Sequence, residues 1–186
     1  MPLLILIGII LLIIIWSTAL YNNLVRLRNR RQNAFADIDV QLRQRHDLVP
    51  QLVETVKGYA GHEKEALFRV TEARAAAMSA VTIDDKIKKE QQLTSALQGL
   101  KVAMEAYPDL KANQNFLQLQ EKLSDIENKL AASRRSFNGT TTEYNNAVET
   151  FPGNMLARNF GFQREVFFDL GTEGRRSMGE PPVVKF

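Results

Sequence analysis

The chain has 186 residues, with 24 Lys and Arg against 21 Asp and Glu, so its length allows one ordinary domain with an appendage and excludes a second large domain. It contains no Cys, which excludes disulfide frameworks, thiolate nucleophiles, zinc fingers and iron–sulfur clusters. His46 and His62 are its two imidazole side chains.

The positive charge is concentrated in one short stretch. Residues 1–20 carry no charged side chain, and residues 21–45 carry six Arg against two Asp, a local balance of +4. The remaining residues carry 18 basic against 19 acidic side chains, a balance of −1. A nucleic-acid-binding domain would place basic residues on its folded body, where they neutralise phosphates. We therefore expect no nucleic-acid partner.

Residues 3–20 read LLILIGIILLIIIWSTAL, an apolar run interrupted by Gly8 and by the pair Ser17 and Thr18. At 1.5 Å rise per residue, a helix of this length spans roughly 27 Å, about the thickness of the hydrocarbon layer of a membrane. We predict a transmembrane anchor here, with lipid as its partner. A cleaved signal peptide is the alternative, but its positive charge would precede the apolar run, and here the charge follows it.

The flanks of the apolar run predict its orientation. Two aromatic residues suited to the membrane interface lie at the C-terminal edge of the run and a cluster of Arg follows, whereas only Met1 and Pro2 precede it. The positive-inside rule then places the short N-terminus outside and the remaining chain in the cytoplasm, at a bacterial inner membrane. The residues expected to set this topology are Trp16, Tyr21, Arg26, Arg28, Arg30 and Arg31.

After the Arg cluster, apolar residues alternate at spacings of three and four, which is typical of a helix that packs on other helices. Arg28, Arg31 and Arg45 fall on the same side of this helix, which implies either ion pairs or edges outside a dry core. The pattern predicts one helix running from the membrane into the folded part. The apolar residues are Leu24, Phe35, Ile38, Leu42, Val49, Leu52 and Val56.

Pro50 interrupts this helix pattern. It has no N–H to bond the carbonyl of His46, so it either kinks a continuous helix or lies in the first turn of a new helix capped by Asp47. The sequence does not decide between a kink and a helix start.

Three more helical stretches follow. Residues 63–80 are rich in helix formers, Thr82 with Asp84 and Asp85 supplies N-cap candidates, and the last run ends at Pro152 and Gly153. No segment shows a convincing strand alternation. The predicted fold is therefore all-α, an N-terminal transmembrane helix that continues into an antiparallel up-and-down bundle of long helices. The predicted buried positions are Leu67, Val70, Ala77 and Val81, then Leu93, Leu97, Leu100 and Met104, then Phe116, Leu119, Leu123, Ile126, Leu130, Ser133, Phe137, Thr140, Tyr144, Ala147 and Phe151.

This pattern divides the chain into a transmembrane anchor at residues 1–21, a cytoplasmic helical bundle at 22–153, and an aromatic and Gly/Pro-rich tail at 154–186. The four Phe of the tail are candidates for binding a partner or the membrane surface. Because large exposed apolar patches are rare, we expect them instead to fold back onto the bundle. They are Phe160, Phe162, Phe167 and Phe168.

Several of these stretches together resemble the LemA family of bacterial membrane proteins. The resemblance covers nearly the whole chain and implies one N-terminal membrane helix and a cytoplasmic helical bundle. It brings no catalytic residues to carry over, but it links some relatives to magnetosome membrane formation and others to a membrane metalloprotease of protein quality control. The matching stretches are YNNLVRLRNRRQNAFADIDVQLRQRHDLVPQLVETVKGYAGHEKEAL at 21–67, VTEARAAA at 70–77, ENKLAASRRSFN at 127–138, YNNAVETFPGN at 144–154, FGFQREVFF at 160–168, and the terminal PPVVKF.

One stretch departs from a firm helix. Gly139 and the three Thr that follow it lie in the final helical run, where Gly costs up to roughly 1 kcal/mol relative to Ala. We expect the helix to bend there.

The candidates for chemistry are few. His62 and Glu63 open like a zinc-protease motif, but the second His is absent because position 66 is Ala. His46 next to Asp47 suggests an oriented base, but adjacent residues on a helix do not face each other, and no nucleophile accompanies them. The pairs Asp37 with Asp39 and Asp84 with Asp85 fit a solvated face and a helix cap.

We therefore interpret the chain as a non-enzymatic, membrane-anchored helical scaffold without a cofactor. It self-assembles and positions partners at the bacterial inner membrane, in membrane organisation or envelope stress. The alternative is an adaptor or regulator of a membrane metalloprotease in protein quality control. The expected partners are membrane lipid, copies of the same chain, and a membrane protease or another membrane protein.

Overall fold

The computed structural model describes residues 1–61 and 63–169, and these residues form helices without a strand. Helix α1 spans Pro2–Lys57, α2 spans Lys64–Ser79 and α3 spans Ile83–Met104. A single turn, α4 at Pro108–Lys111, precedes the long helix α5 at Gln114–Glu149 and the short α6 at Gly153–Asn159. The predicted all-α fold, with a long apolar helix at its N-terminus, is confirmed.

The helix ends follow from local chemistry. Thr82 caps α3, since its Oγ1 accepts a hydrogen bond from the Asp85 amide at 3.1 Å. The side chain of Asn113 caps α5 in the same way, and its Oδ1 accepts from the Phe116 amide at 3.0 Å. Thr82 is one of the three N-cap candidates that the sequence offers, with Asp84 and Asp85.

Helix α1 runs through Pro50 without a new start. The predicted alternative, a second helix that begins near Pro50 and is capped by Asp47, is therefore not what the structure has. The side chains of Asp47 and Pro50 are both exposed.

The described chain divides into two compact units. The first comprises Met1–Leu42 and Glu127–Phe167, and the second comprises Arg43–Ile126 with Phe168 and Asp169. The predicted boundaries after residues 21 and 153 stay predictions.

The first unit is built on α1, α5 and α6. One apolar cluster joins Leu24, Tyr144, Val148, Ala157 and Phe162. Further along α1, the rings of Phe35 and Phe137 meet edge to face with centroids 5.6 Å apart.

The second unit has its own core, in which α1, α2, α3, α4 and α5 take part. Helices α2 and α3 pack against each other, as expected of helices joined by a three-residue connection. The core consists of Val49, Leu52, Val56, Ala60, Leu67, Val70, Ala77, Leu93, Leu100, Met104, Leu110 and Phe116.

Two predicted core positions are wrong. Val81 is 88% exposed and Phe151 is 77% exposed. Each lies just beyond the end of its helix, because α2 ends at Ser79 and α5 at Glu149. The period of the sequence pattern extends past the point where the backbone leaves the helix.

The stretch after Phe137 stays helical, since α5 continues through Gly139. Each of the three Thr hydroxyls donates to a carbonyl one turn earlier, at 2.8–2.9 Å. Thr141 is fully buried, whereas the predicted core position Thr140 is half-buried.

Candidate functional site

The N-terminal part of α1 presents an apolar surface that the rest of the chain does not cover. Every Leu and Ile between Leu3 and Ile15 is 46–70% exposed. In the described part of the chain, α1 is the one helix that is both long enough and apolar enough to cross a membrane. None of its most apolar 18-residue stretch is buried. A contiguous apolar surface of this size marks a contact with lipid or with another macromolecule.

The residues expected to set the topology fall into two groups. Trp16 is 49% exposed and Tyr21 is 36% exposed, and Arg26, Arg28 and Arg30 are exposed. Arg31 differs from them, since only 4% of it is exposed.

Arg31 lies at the centre of a buried polar cluster in the first unit. Its Nε donates to Thr141 Oγ1 at 3.2 Å, its Nη2 donates to the Val166 carbonyl at 3.1 Å, and its Nη1 lies 3.0 Å from Glu165 Oε2. Its guanidinium also stacks over the Phe137 ring, 4.8 Å from the centroid. Arg31 therefore ties α5 and the segment after α6 to α1.

Asn145 holds the same segment with two backbone hydrogen bonds. Its Nδ2 donates to the Glu165 carbonyl, and its Oδ1 accepts from the Glu165 amide, both at 2.9 Å. Burial raises the pKa of the neighbouring Tyr144 phenol above its ordinary value, and the Glu165 carboxylate adds to this rise. Arg28 and Arg31 act in the opposite direction on that pKa.

The second unit contains a separate buried cluster around Glu90. Arg45 Nη1 donates to Glu90 Oε2 at 3.3 Å, and Arg45 Nη2 donates to Thr94 Oγ1 at 3.0 Å. His46 Nε2 lies 2.5 Å from Glu90 Oε1. The side chains of Arg45 and Glu90 are 2% and 1% exposed, so this ion pair lies in the interior.

Arg74 of α2 completes this polar group by bonding the backbone of α1. Its Nε donates to the His46 carbonyl at 2.7 Å. Pro50 has no N–H and cannot supply the usual helix hydrogen bond to that carbonyl. A side chain from another helix thus satisfies the acceptor that Pro50 leaves open.

The structure separates the residues that the sequence pairs. His46 contacts Glu90, which lies 44 positions away in the sequence, and Asp47 is exposed. His62 lies outside the described residues. Glu63, its neighbour, accepts a hydrogen bond from the Tyr107 hydroxyl at 3.2 Å, and burial followed by this bond raises the pKa of Tyr107.

Three members of the cluster around Glu90 are almost completely buried, since Arg45 and Glu90 are 1% exposed and His46 is 7% exposed. An open groove of about 810 Å³ lies between α2 and α3, with Arg69, Lys88 and Lys89 among its lining residues. None of Arg45, His46, Glu90 and Thr94 lines that groove. Among residues 1–61 and 63–169, no group of three His, Cys, Asp or Glu side chains is placed to hold a metal ion.

The aromatic residues of the tail divide evenly between buried and exposed. Phe162 and Phe168 are buried, whereas Phe160 is 60% and Phe167 is 39% exposed. The Tyr21 ring meets Phe160 and Phe162 edge to face, with centroids 5.0 and 5.7 Å away. The expected folding back therefore applies to Phe162 and Phe168.

Sequence reasoning missed Glu90, Arg74 and Asn145. A signal for the first two is present, because Glu90 lies between the buried Ile87 and Leu93, and Arg74 lies between the buried Val70 and Ala77. Charged residues at such helix-packing positions indicate an ion pair or a buried hydrogen bond. For Arg31 and Arg45, the structure selects ion pairs over the alternative of a helix edge outside a dry core.

Comparison with known proteins finds similarity to the LemA family and to magnetosome proteins. The sequence model of the LemA family matches residues 34–186. Protein LemA of Metamycoplasma hominis is 28% identical over 149 residues, which cover 79% of this chain and 68% of that protein. The magnetosome protein MamQ of Magnetospirillum gryphiswaldense is 28% identical over 90 residues, and MamQ 2 of Paramagnetospirillum magneticum is 26% identical over 90. These residues make up 48% of this chain and 31% of each magnetosome protein.

Proposed function

This chain belongs to the LemA family, and on that premise we propose that it is a non-enzymatic scaffold, anchored in the bacterial inner membrane by α1, that binds copies of itself and other membrane proteins. The magnetosome proteins among its relatives support a role in organising membranes, although the chain spans only 31% of their length.

The observation that carries this proposal is the apolar surface of the N-terminal part of α1, which the rest of the chain leaves exposed. The same helix that exposes Leu3–Ile15 contributes Leu24 to the core of the first unit and Val49 to the core of the second. An apolar surface on a helix that also forms the folded core is suited to tether that core to a bilayer.

The Arg residues beyond the span support one orientation. Arg26, Arg28 and Arg30 are exposed directly after the apolar stretch, where the positive-inside rule places cytoplasmic residues. In this orientation the N-terminus is outside and the helical units are cytoplasmic.

The buried polar residues favour a structural role over catalysis. Arg45, His46 and Glu90 bond to one another in the interior, away from the α2–α3 groove. A catalytic group needs to reach a substrate, and these side chains are occupied in joining helices.

Self-association is supported by the anchor. Because every copy is held in one bilayer with one orientation, the effective concentration of copies is high. The arginines on the packing side of α1 do not support self-association, since Arg31 and Arg45 form ion pairs within the chain.

The test is the mass of the intact complex. The full chain is expressed in bacteria, extracted in a mild detergent and weighed by native mass spectrometry, and the proteins that it retains are identified. We expect one species made of several copies of this chain.

A monomer would contradict the self-association, and a monomer bound to a membrane metalloprotease in equal amounts would favour the adaptor function instead. Extraction of the chain by salt or alkali without detergent would contradict the anchor. Replacing His46 and finding loss of a measurable activity in a folded protein would contradict the non-enzymatic role.

A further inference from the structure

Three large apolar side chains are exposed within ten residues of the first unit, on and beside α6. Phe151 is 77%, Met155 is 63% and Phe160 is 60% exposed. The opposite side of the same segment is buried, since Ala157 and Phe162 lie in the core with Leu24. The segment is therefore held firmly while it presents apolar side chains outward.

The contacts of this segment fix its position along α1. The Phe160 ring packs edge to face on Tyr21 at 5.0 Å, and Tyr21 is the first residue after the apolar run that ends at Leu20. Leu24, less than one turn further along α1, shares a core with Ala157. The exposed side chains thus lie beside the end of the apolar stretch of α1, where a spanning helix leaves the hydrocarbon.

The charge of the segment suits a bilayer surface. No Asp or Glu occurs from Thr150 to Gln163, and the outward face of α6 carries Arg158 three residues after Met155. Along α1, residues 21–36 carry Arg without any acidic residue. Apolar side chains with interspersed Arg are typical of segments that lie in the interface of an anionic membrane.

We propose that residues 151–160 form a second membrane contact, an interfacial foot that inserts Phe151, Met155 and Phe160 between the lipids next to α1. The Arg158 side chain reaches the anionic headgroups while its aliphatic stem stays among the apolar groups. The foot fixes the first unit against the bilayer, so that α1 is not a free tether. This inference rests on the proposal that α1 crosses the membrane.

The test uses single-tryptophan reporters, because Trp16 is the one Trp of the chain. In a Trp16→Phe background, Phe160→Trp and Met155→Trp each place one indole on the foot. The control is Val40→Trp, at a 52% exposed position of α1 in the same unit. Val40 lies 19 residues beyond Tyr21, roughly 29 Å along α1.

Each full-length variant is reconstituted in phosphatidylglycerol-containing vesicles, with and without acyl chains brominated near the headgroup, and its helix content is compared with wild type. Bromine quenches indole at short range. We expect the fluorescence of both foot reporters to fall about twofold, since interfacial side chains reach the acyl boundary, and that of Val40→Trp to stay unchanged.

The outcomes separate this inference from the anchor. Quenching of Trp16 in the wild-type chain without quenching of either foot reporter overturns the foot and leaves the anchor intact. A blue-shifted foot reporter without quenching means that another protein surface, such as a second copy, covers the segment, and this also overturns the inference. Absence of quenching for Trp16 itself contradicts the anchor.

Discussion

Glu90 is 1% exposed and receives contacts from both Arg45 and His46 of α1. Bringing two charges into the interior costs desolvation, so a buried pair of this kind adds little net stability over apolar residues of equal volume. Removing one partner has a different effect, because the other charge is then left buried and uncompensated.

We therefore predict that Glu90→Leu lowers the free energy of unfolding by about 3–5 kcal/mol. The double change Arg45→Met with Glu90→Leu removes both charges and lowers it by less than the single change does, since no unpaired charge is left. The measurement is denaturant unfolding of the full chain in detergent, followed by circular dichroism.

The matched control for this prediction is Glu121→Leu, the same substitution at an exposed position of α5. Its effect stays within about 0.5 kcal/mol. A Glu90→Leu protein as stable as the control would show that the buried pair contributes nothing to holding α3 on α1.

At the scale of the helix, Pro50 of α1 and Arg74 of α2 both bear on one hydrogen-bond acceptor, the His46 carbonyl. Pro50 withdraws the helix hydrogen bond from the His46 carbonyl, and Arg74 Nε replaces it at 2.7 Å. A buried acceptor left without any donor would cost about 1–3 kcal/mol.

We predict that Arg74→Met destabilises the wild-type chain by about 1–3 kcal/mol, because the carbonyl loses its donor. In a Pro50→Ala background the same change costs less, because the substituted residue supplies the missing N–H to the His46 carbonyl. The double-mutant cycle measures this difference by denaturant unfolding. Equal costs in both backgrounds would mean that Arg74 acts through its charge or packing and not through this hydrogen bond.

Two glycines of the first unit supply a contrasting pair. A Cβ added at Gly153 would lie 2.2 Å from the Ala147 carbonyl oxygen. This is a backbone atom, so relieving the clash would require the helix backbone to shift. A Cβ added at Gly139 meets nothing within 4 Å. Gly153 is therefore required by the close approach of α6 to the end of α5, and Gly139 is not required by the chain itself.

Gly153→Ala is predicted to lower stability by about 1–3 kcal/mol through overpacking. Gly139→Ala is predicted to raise it by about 0.4–1 kcal/mol, because Ala restricts the unfolded chain and favours the helix. Thermal unfolding of the two variants in the same detergent compares them directly. A destabilising Gly139→Ala would indicate that a surface outside this chain packs against α5 there.

The elements themselves were largely predictable from sequence, because buried positions such as Leu24, Ile38 and Val49 repeat with the period of a helix. The limits of the helices were not, as the exposed Val81 and Phe151 show. After Phe137 the buried side passes to Thr141 and not Thr140, since a straight helix drifts from a heptad repeat. The contact of Glu90 with Arg45 depends on which helices pair and in what register, and a single sequence does not contain that information.

At the scale of the whole chain, the proposed membrane anchor makes α1 the element that determines both where the protein resides and which side of the membrane it faces. The exposed Arg residues after the span are the sequence feature that favours one direction of insertion. Arg31 belongs to this cluster in sequence, but its bonds to Thr141 and Glu165 give it a structural role. A test of topology must therefore alter the exposed members and leave Arg31 in place.

The double change Arg26→Glu with Arg30→Glu is predicted to mix the two orientations, because it removes the positive charge that, in the proposed topology, keeps the residues after the span in the cytoplasm. The chain has no Cys, so Gln118→Cys, at an exposed position of α5, introduces a single thiol. Treating whole cells with a membrane-impermeant thiol reagent then shows on which side of the membrane α5 lies. The parent reporter stays unlabelled until the cells are broken, and the Glu variant is labelled in part beforehand. Lys122→Glu with Lys129→Glu makes the same charge change far from the span, and labelling of that control in intact cells would show that net charge, not position, sets the orientation.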